Sequence, residues 1–218
     1  MQTNYLKRKK DGISLTRKCE STSNDLYLLL ESSLKRDFIE TLEFDYNVWY
    51  YKLRPVEIAY TMSGIVNNYI PDFLVHYRTD LYPAKKFRPL LCEIISRNEL
   101  RSHWKQFKPR FLSAIKYASE KGWRFKIITE IEINTPFFDN VKFLSNYKGN
   151  RNTNIDDFSL ILDKLKVLKI TTPEELILIA SKDKYKQAEL LFTIWYMIAE
   201  GFISCDLTRK LTMQTEIW

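Results

Sequence analysis

A glutamate stands inside a short run of residues that is otherwise apolar. Residues 90–95 read Leu-Leu-Cys-Glu-Ile-Ile, and a run of this length and composition is typical of a strand buried within a sheet. Burying the carboxylate of Glu93 costs free energy unless a charged partner or a bound cation compensates it. We therefore expect the chain to place positive charge next to the middle of this strand.

A second carboxylate lies earlier in the chain, at a turn that leads into another strand. Pro71 and Asp72 directly precede the apolar residues 73–75. Two carboxylates on neighbouring strands can share a divalent metal ion, and such an ion polarises water and stabilises charge on a phosphodiester. The arrangement resembles the core of PD-(D/E)XK nucleases. The alternatives are that Asp72 is only a turn residue and that Glu93 is an ion-paired carboxylate of the core.

The charge of the chain favours a polyanionic partner such as DNA. The net charge is +7, and the surplus of basic residues lies in residues 1–153, because residues 154–218 hold slightly more acidic than basic side chains. Contacts of Lys and Arg with phosphates release counterions and favour binding, although a solvated basic face is an equal alternative. The candidate DNA-binding residues are Lys7, Arg8, Lys9, Lys10, Lys105, Lys108 and Arg110.

Several classes of protein are excluded by composition. Three cysteines and two histidines, all scattered, are too few for a zinc site of the Cys/His type. Neither a Walker A motif nor a dinucleotide-binding glycine motif is present. The longest apolar runs are too short to span a bilayer, and the first residues lack the apolar segment of a signal peptide. We expect a soluble intracellular protein without membrane partners.

The order of predicted elements indicates an α/β core in the first two thirds of the chain. Residues 1–20 are predicted to form a basic arm, and apolar spacing predicts a helix over residues 23–43 with a break near Ser32 and Ser33. Residues 68–77 are expected to form a turn that feeds a strand, further strands are expected at 90–95 and 125–129, and a helix is expected over 104–121 that ends at a glycine. The strand–helix–strand order at the end predicts a parallel βαβ unit.

A polar segment at residues 149–154 separates this predicted core, residues 21–150, from a smaller domain at 154–218. Helical periodicity covers residues 157–168, 172–181 and 184–199. The second helix opens with Thr172, Pro173 and two glutamates, a pattern typical of a helix start. With a predicted hairpin in the tail, the three helices outline a winged-helix-like module, although a plain helical bundle has the same pattern.

Several stretches of the chain resemble the TnsA family, the endonuclease subunits of heteromeric cut-and-paste transposases. The resemblance begins in residues 31–45, which read Glu-Ser-Ser-Leu-Lys-Arg-Asp-Phe-Ile-Glu-Thr-Leu-Glu-Phe-Asp, and continues with Arg54-Pro55, where the family usually has Gln-Pro. Residues 69–75, Tyr-Ile-Pro-Asp-Phe-Leu-Val, match the family pattern fully, and residues 117–133 and 194–208 are also similar to it. The resemblance implies a restriction-endonuclease-like core, a mixed sheet flanked by helices.

The chain departs from the family at two of its four catalytic positions. The helix glutamate that contributes to metal binding in the family falls on Lys35, and the lysine of its E/Q-x-K triplet falls on Ile95. Asp72 and Glu93 match the other two positions. By the resemblance, Asp72 and Glu93 hold Mg²⁺ or Mn²⁺. Either Lys35 has taken over the task of the missing lysine, or the site has lost its activity.

The resemblance implies a transposition protein of the bacterial cytosol that cuts the non-transferred strand at transposon 5′ ends. Its partners would be double-stranded DNA, a TnsB-like transposase and a TnsC-like AAA+ regulator that binds the C-terminal part. One alternative is a catalytically silent adaptor that bridges DNA and the regulator. Another is an unrelated PD-(D/E)XK nuclease of restriction or repair type, which would cut DNA without a transposase.

Overall fold

The computed structural model of the protein describes residues 19–20, 32–78, 87–149 and 154–218. The chain divides into two compact units, one ending at Asn134 and the other beginning at Thr135. The sequence places the boundary later, at the polar segment 149–154. The difference arises because the helix that begins at Pro136 packs with the helix Lys184–Ala199.

The first unit combines a mixed sheet, a separate hairpin and flanking helices. Its elements are β1 (Cys19–Glu20), α1 (Ser33–Phe44), β2 (Val48–Leu53), β3 (Ile58–Met62), β4 (Ile65–Tyr69), β5 (Phe73–Tyr77), β6 (Leu90–Ile94), α2 (Arg97–Ser102), α3 (Trp104–Glu120), β7 (Arg124–Ile128) and α4 (Glu130–Ile133). The sequence did not indicate α2 or α4. The predicted helix over 23–43 is described only from Ser32 onward, where the Ser32 side chain caps α1.

Five strands form the sheet in the order β1-β2-β5-β6-β7. β2, β5 and β6 pair in antiparallel fashion, whereas β6 and β7 are parallel neighbours. α3 connects β6 to β7, so the predicted βαβ unit is confirmed. β3 and β4 form a two-stranded hairpin, whose turn residues Ser63 and Gly64 have positive φ of 52° and 79°, as tight hairpin turns require.

Helices cover both faces of the sheet. On one face, Leu74 of β5 and Leu91 of β6 pack with Phe111 and Ala114 of α3. On the other face, the ring of Phe73 meets the edge of Phe38 of α1, with 5.2 Å between ring centroids. Because successive side chains of a strand point to opposite faces, Glu93 shares the α3 face with Leu91.

The second unit is helical. Its helices are α5 (Pro136–Ser145), α6 (Ile155–Leu168), α7 (Pro173–Ala180) and α8 (Lys184–Ala199). The predicted start of α7 is confirmed, because the Thr172 side chain accepts a hydrogen bond from the backbone of Glu175 and Pro173 takes the first turn. α5 joins this unit through apolar contacts, among them an edge contact between Phe143 and Trp195.

The tail after α8 lacks a regular hairpin in its described residues. Isolated bridges tie Ile217 to Thr171 on one side and to Cys205 on the other. Asn140 of α5 is buried and holds the tail as well. Its amide nitrogen donates to the carbonyl oxygens of Leu207 and Arg209, at 2.9 and 2.6 Å. Its amide oxygen accepts from the backbone of Leu211 at 2.9 Å.

The structure confirms an α/β core with a mixed sheet and flanking helices, whereas the winged-helix form of the second unit is not confirmed. None of the helices in the described part of the chain has the length and apolar character needed to cross a bilayer.

Candidate functional site

Asp72 and Glu93 lie opposite each other on neighbouring strands. Phe73 of β5 pairs with Cys92 of β6, so the antiparallel register brings the preceding Asp72 to the level of Glu93. The Ile94 backbone N–H donates to Asp72 Oδ2 at 2.8 Å, which fixes the orientation of that carboxylate across the strand pair. Asp72 is 9% exposed and Glu93 is 8% exposed. The structure therefore brings together the two predicted metal ligands as one buried pair, called here the acidic pair.

Tyr69 and Arg110 hold the Glu93 carboxylate from both sides. The Tyr69 hydroxyl donates to Oε2 at 2.8 Å, and Arg110 Nη2 donates to Oε1 at 2.9 Å. Tyr69 ends β4 of the hairpin and Arg110 belongs to α3, so the carboxylate is fixed by two elements outside the sheet.

The pKa of Glu93 is raised to about 7, mainly by burial and in addition by the negative charge of Asp72. Arg110, the hydrogen bond from Tyr69 and the more remote Lys35 lower it, but they do not offset the burial. Burial, followed by the charge of Glu93, also raises the pKa of the Tyr69 hydroxyl far above its usual value. The tyrosine therefore stays protonated and acts as a donor. Burial thus disfavours the ionised form of Glu93, and a bound cation would stabilise that form.

Lys35 reaches the Asp72 end of the acidic pair from α1. Its ammonium group forms an ion pair with Asp72 Oδ1. The lysine side chain is 25% exposed and that of Asp72 is 12% exposed, so the contact lies at the edge of the buried site. The position where the resemblance expects a glutamate thus supplies a positive charge instead.

Ile95 contributes no charge to the site. It follows β6 directly, is 5% exposed, and its backbone N–H continues the pairing with β7 by donating to Ile128 at 3.0 Å. Because successive side chains of a strand point to opposite faces, Ile95 lies on the same face as Glu93. A lysine at this position would lie beside Glu93, whereas the isoleucine leaves that place apolar.

The donor set of the acidic pair fits Mg²⁺ or Mn²⁺. Carboxylate oxygens are the preferred ligands of these hard cations, and Mg²⁺ is commonly bound by one or two carboxylates together with water and substrate phosphates. No cluster of three or more His, Cys, Asp or Glu side chains suited to a metal ion occurs among the described residues. Asp72 and Glu93 would therefore supply two carboxylate ligands, and water and substrate phosphate would complete the coordination.

The candidate DNA-binding residues fall into three groups. Lys7, Arg8, Lys9 and Lys10 lie outside the described residues. Lys105 and Lys108 are exposed on α3 and remain predicted DNA contacts. Arg110 on the same helix points inward to Glu93 instead, and its guanidinium lies 4.1 Å from the centre of the Phe107 ring. This orientation ties Arg110 to the acidic pair.

Sequence patterns assigned Arg110 to DNA binding and gave Tyr69 no role, although both residues hold Glu93. Arg110 carried a signal, because a charged residue at this position interrupts the apolar stripe of α3, which Phe107, Phe111 and Ala114 form at helical spacing. Tyr69 carried none, because nothing in its sequence context separates it from an ordinary tyrosine of the core.

Two family models match the chain and together cover most of it. The model described as TnsA-like endonuclease N terminal matches residues 45–130, and the model described as TnsA endonuclease C terminal matches residues 132–207. Both the Asp72 and the Glu93 positions lie in the first match. The junction between the matches lies near the division between the two compact units. No curated protein matches the chain.

Proposed function

The chain belongs to the TnsA-like endonuclease family of Tn7-type transposition proteins, and on that premise we propose that it cuts the non-transferred strand at the 5′ ends of a transposon. The reaction would be metal-dependent hydrolysis of a phosphodiester, carried out together with a TnsB-like transposase. The observation that carries this proposal is the acidic pair itself, with Lys35 bound to its Asp72 end.

Each residue of the site has a separate task in this proposal. Asp72 and Glu93 would hold Mg²⁺ or Mn²⁺, which supplies a polarised water and stabilises charge on the phosphate. Tyr69 and the backbone N–H of Ile94 keep the two carboxylates in fixed orientations. Lys35 supplies positive charge at the edge of the site, where a scissile phosphate would approach.

The proposed partners are transposon-end DNA, the transposase and a TnsC-like AAA+ regulator. DNA binding is supported by the exposed Lys105 and Lys108, which lie on the helix that contributes Arg110 to the site. For the second unit we propose regulator binding, because it has no basic surplus. It exposes several large apolar side chains, namely Ile155, Val167, Ile170, Leu178, Ile179 and Tyr185.

We also propose that the second unit is winged-helix-like. The supporting observation is the order of its parts: α6, the bridge residue Thr171, α7, α8, and then the bridge residues Cys205 and Ile217. In this arrangement Ile217 lies between the other two bridge residues, as the last strand of a small three-stranded wing would.

A second function is favoured by one specific observation. All four oxygens of the acidic pair already accept hydrogen bonds from Lys35, Ile94, Tyr69 and Arg110. A metal ion would have to share or displace these donors. A silent adaptor, which bridges transposon ends and the regulator without cutting, would keep this self-neutralised arrangement.

Nicking of a labelled transposon-end duplex separates the two functions. The protein is incubated with its cognate transposase in Mg²⁺ and in Mn²⁺, beside Asp72→Ala, Lys35→Ala and the control Arg36→Ala, an exposed neighbour on α1. An endonuclease cuts the 5′ ends, and it loses cutting but keeps DNA binding in the first two variants. If the wild type never cuts yet supports assembly of the complex, the adaptor is correct. Cutting without the transposase would favour an unrelated nuclease.

A further inference from the structure

We propose that Arg110 of α3 is a positioning residue of the acidic pair, which supplies at the Glu93 end the positive charge that Ile95 cannot provide. The inference rests on the proposed nuclease function and concerns a residue outside the motif strands. Lys35 serves the Asp72 end from α1, and Arg110 serves the Glu93 end from α3. The two cations therefore act on different carboxylates.

The guanidinium of Arg110 is fixed in a way that suits this task. Nη2 donates to Glu93 Oε1 at 2.9 Å, and the guanidinium carbon lies 4.1 Å from the ring centre of Phe107, 5.0 Å from that of Tyr69 and 5.1 Å from that of Phe111. Tyr69 contacts both the guanidinium and the carboxylate. Arginine, tyrosine and glutamate thus form one clamp, in which aromatic faces stabilise the cation.

Arg110 approaches Glu93 from the side where a lysine at position 95 would act. Residues 91, 93 and 95 share one face of the strand by alternation, and Leu91 on that face packs against Phe111 and Ala114 of α3. A cation carried by α3 therefore enters the same side of the sheet. The charge reaches Glu93 from the neighbouring helix instead of from two residues along the strand.

Packing alone does not account for an arginine at this position. Arg110 Nε is buried and has no hydrogen-bond partner among the described residues, which destabilises the fold. A methionine would continue the apolar stripe between Phe107 and Phe111 without an unpaired donor. The guanidinium thus leaves one buried donor of α3 unpaired, but its positive charge compensates the Glu93 carboxylate.

The test compares variants that separate charge from packing. Arg110→Met and Arg110→Gln remove the charge, Arg110→Lys keeps it, and Arg110→Met/Ile95→Lys moves it to the strand. Lys116→Met, which removes an exposed charge from the same helix, is the control. Two quantities are measured: the rate of 5′-end nicking with the cognate transposase, and the affinity of the isolated full chain for Mn²⁺ by calorimetry. Circular dichroism and thermal melting identify the folded variants.

We expect Arg110→Met and Arg110→Gln to nick about 10- to 100-fold more slowly, the usual loss when a residue that orients a metal ligand is removed. Their Mn²⁺ affinity should be equal to that of the wild type or higher, because a competing cation is gone. Arg110→Lys should stay within about tenfold of the wild-type rate. The double variant Arg110→Met/Ile95→Lys should nick about tenfold faster than Arg110→Met alone. Lys116→Met should match the wild type.

Three results would overturn the inference. One is that Arg110→Gln nicks at the wild-type rate. Another is that nicking and Mn²⁺ affinity are both lost when Arg110 is replaced, and that neither Arg110→Lys nor Ile95→Lys prevents this loss. The second outcome would mean that Arg110 only keeps the site folded. If the wild type itself does not nick, the proposed function fails and this role for Arg110 fails with it. If the wild type nicks and the Arg110 variants nick at the same rate, the inference about Arg110 fails but the proposed function stands.

Discussion

Lys35 and Asp72, which are far apart in the sequence, form an ion pair at the edge of a buried carboxylate pair. The N-terminal turn of α1 carries the lysine, and the turn before β5 carries the aspartate. At this place the resemblance expects a carboxylate on the helix. Lys35 places a cation where the resemblance implies a metal-binding glutamate, so the charge of the site differs from the one that the resemblance implies.

Lys35→Glu is therefore expected to strengthen metal binding. A third carboxylate beside Asp72 and Glu93 adds a hard oxygen ligand, and ligand charge tunes cation affinity. We expect Mn²⁺ to bind at least about tenfold more tightly by calorimetry, whereas Arg36→Glu on the exposed side of α1 should leave the affinity unchanged. Equal affinities in the two variants would show that Lys35 does not border the metal site.

Glu93 gives the metal-free protein a pH-dependent stability. Burial raises its pKa in the folded state from 4.5 to about 7, so the folded protein binds more protons than the unfolded chain between these values. This contribution to the free energy of unfolding is full below pH 4.5 and is lost as the pH rises through about 7. Urea unfolding in EDTA at pH 5 and pH 8 measures it, and Glu93→Gln should reduce the difference between the two conditions. A variant with the wild-type difference would contradict the assignment.

Phe111 should be the main apolar anchor of α3. It is 2% exposed and packs with Tyr69 and Leu91. Phe111→Ala is expected to destabilise the protein by about 3–5 kcal/mol through lost burial and a cavity. Leu112→Ala, on the neighbouring residue that is 56% exposed, should cost at most about 0.5 kcal/mol. Chemical denaturation compares them, and similar losses would place the core elsewhere.

Asn140 should determine the order of the C-terminal tail. Asn140→Ala removes three hydrogen bonds to the backbone of residues 207–211 and leaves those backbone groups without their side-chain partner, at a cost of about 1–3 kcal/mol. Hydrogen exchange of the tail should accelerate in this variant. Asn146→Ala, which removes hydrogen bonds of an exposed side chain directly after the same helix, should leave the exchange of the tail unchanged. Equal exchange in both variants would refute the role of Asn140.

Local signals in the sequence predicted α1, β5, β6, α3 and β7 of the first unit. The turn at Pro71 and Asp72, the apolar run around Glu93 and the glycine that ends α3 were sufficient to locate strands and a crossover helix. They also placed Asp72 and Glu93 on neighbouring strands, because a turn and a buried run leave few ways to pair.

The partners of the acidic pair depended on packing between distant elements. Whether Lys35 reaches Asp72 is decided by how α1 lies on the sheet, and whether Arg110 reaches Glu93 by how α3 does. The spacing of residues in the sequence does not determine how either helix is oriented on the sheet. The same limit explains the boundary at Thr135. In the sequence the polar segment 149–154 has the composition of a linker, whereas in the structure Phe143 belongs to the second unit because it contacts the distant Trp195.

If the acidic pair holds the metal ion that cuts DNA, the variant Asp72→Asn must lose cutting. Asparagine keeps the shape of the side chain but removes the charge that would bind metal. A transposon-end duplex labelled at the 5′ end is incubated with the cognate transposase in Mg²⁺, with EDTA as a blank. We expect a nick at the 5′ end by the wild type, none in EDTA, and a loss of at least about 1000-fold in Asp72→Asn with DNA binding intact. Equal nicking by the variant, or no nicking by a wild type that still assembles the complex, would contradict it.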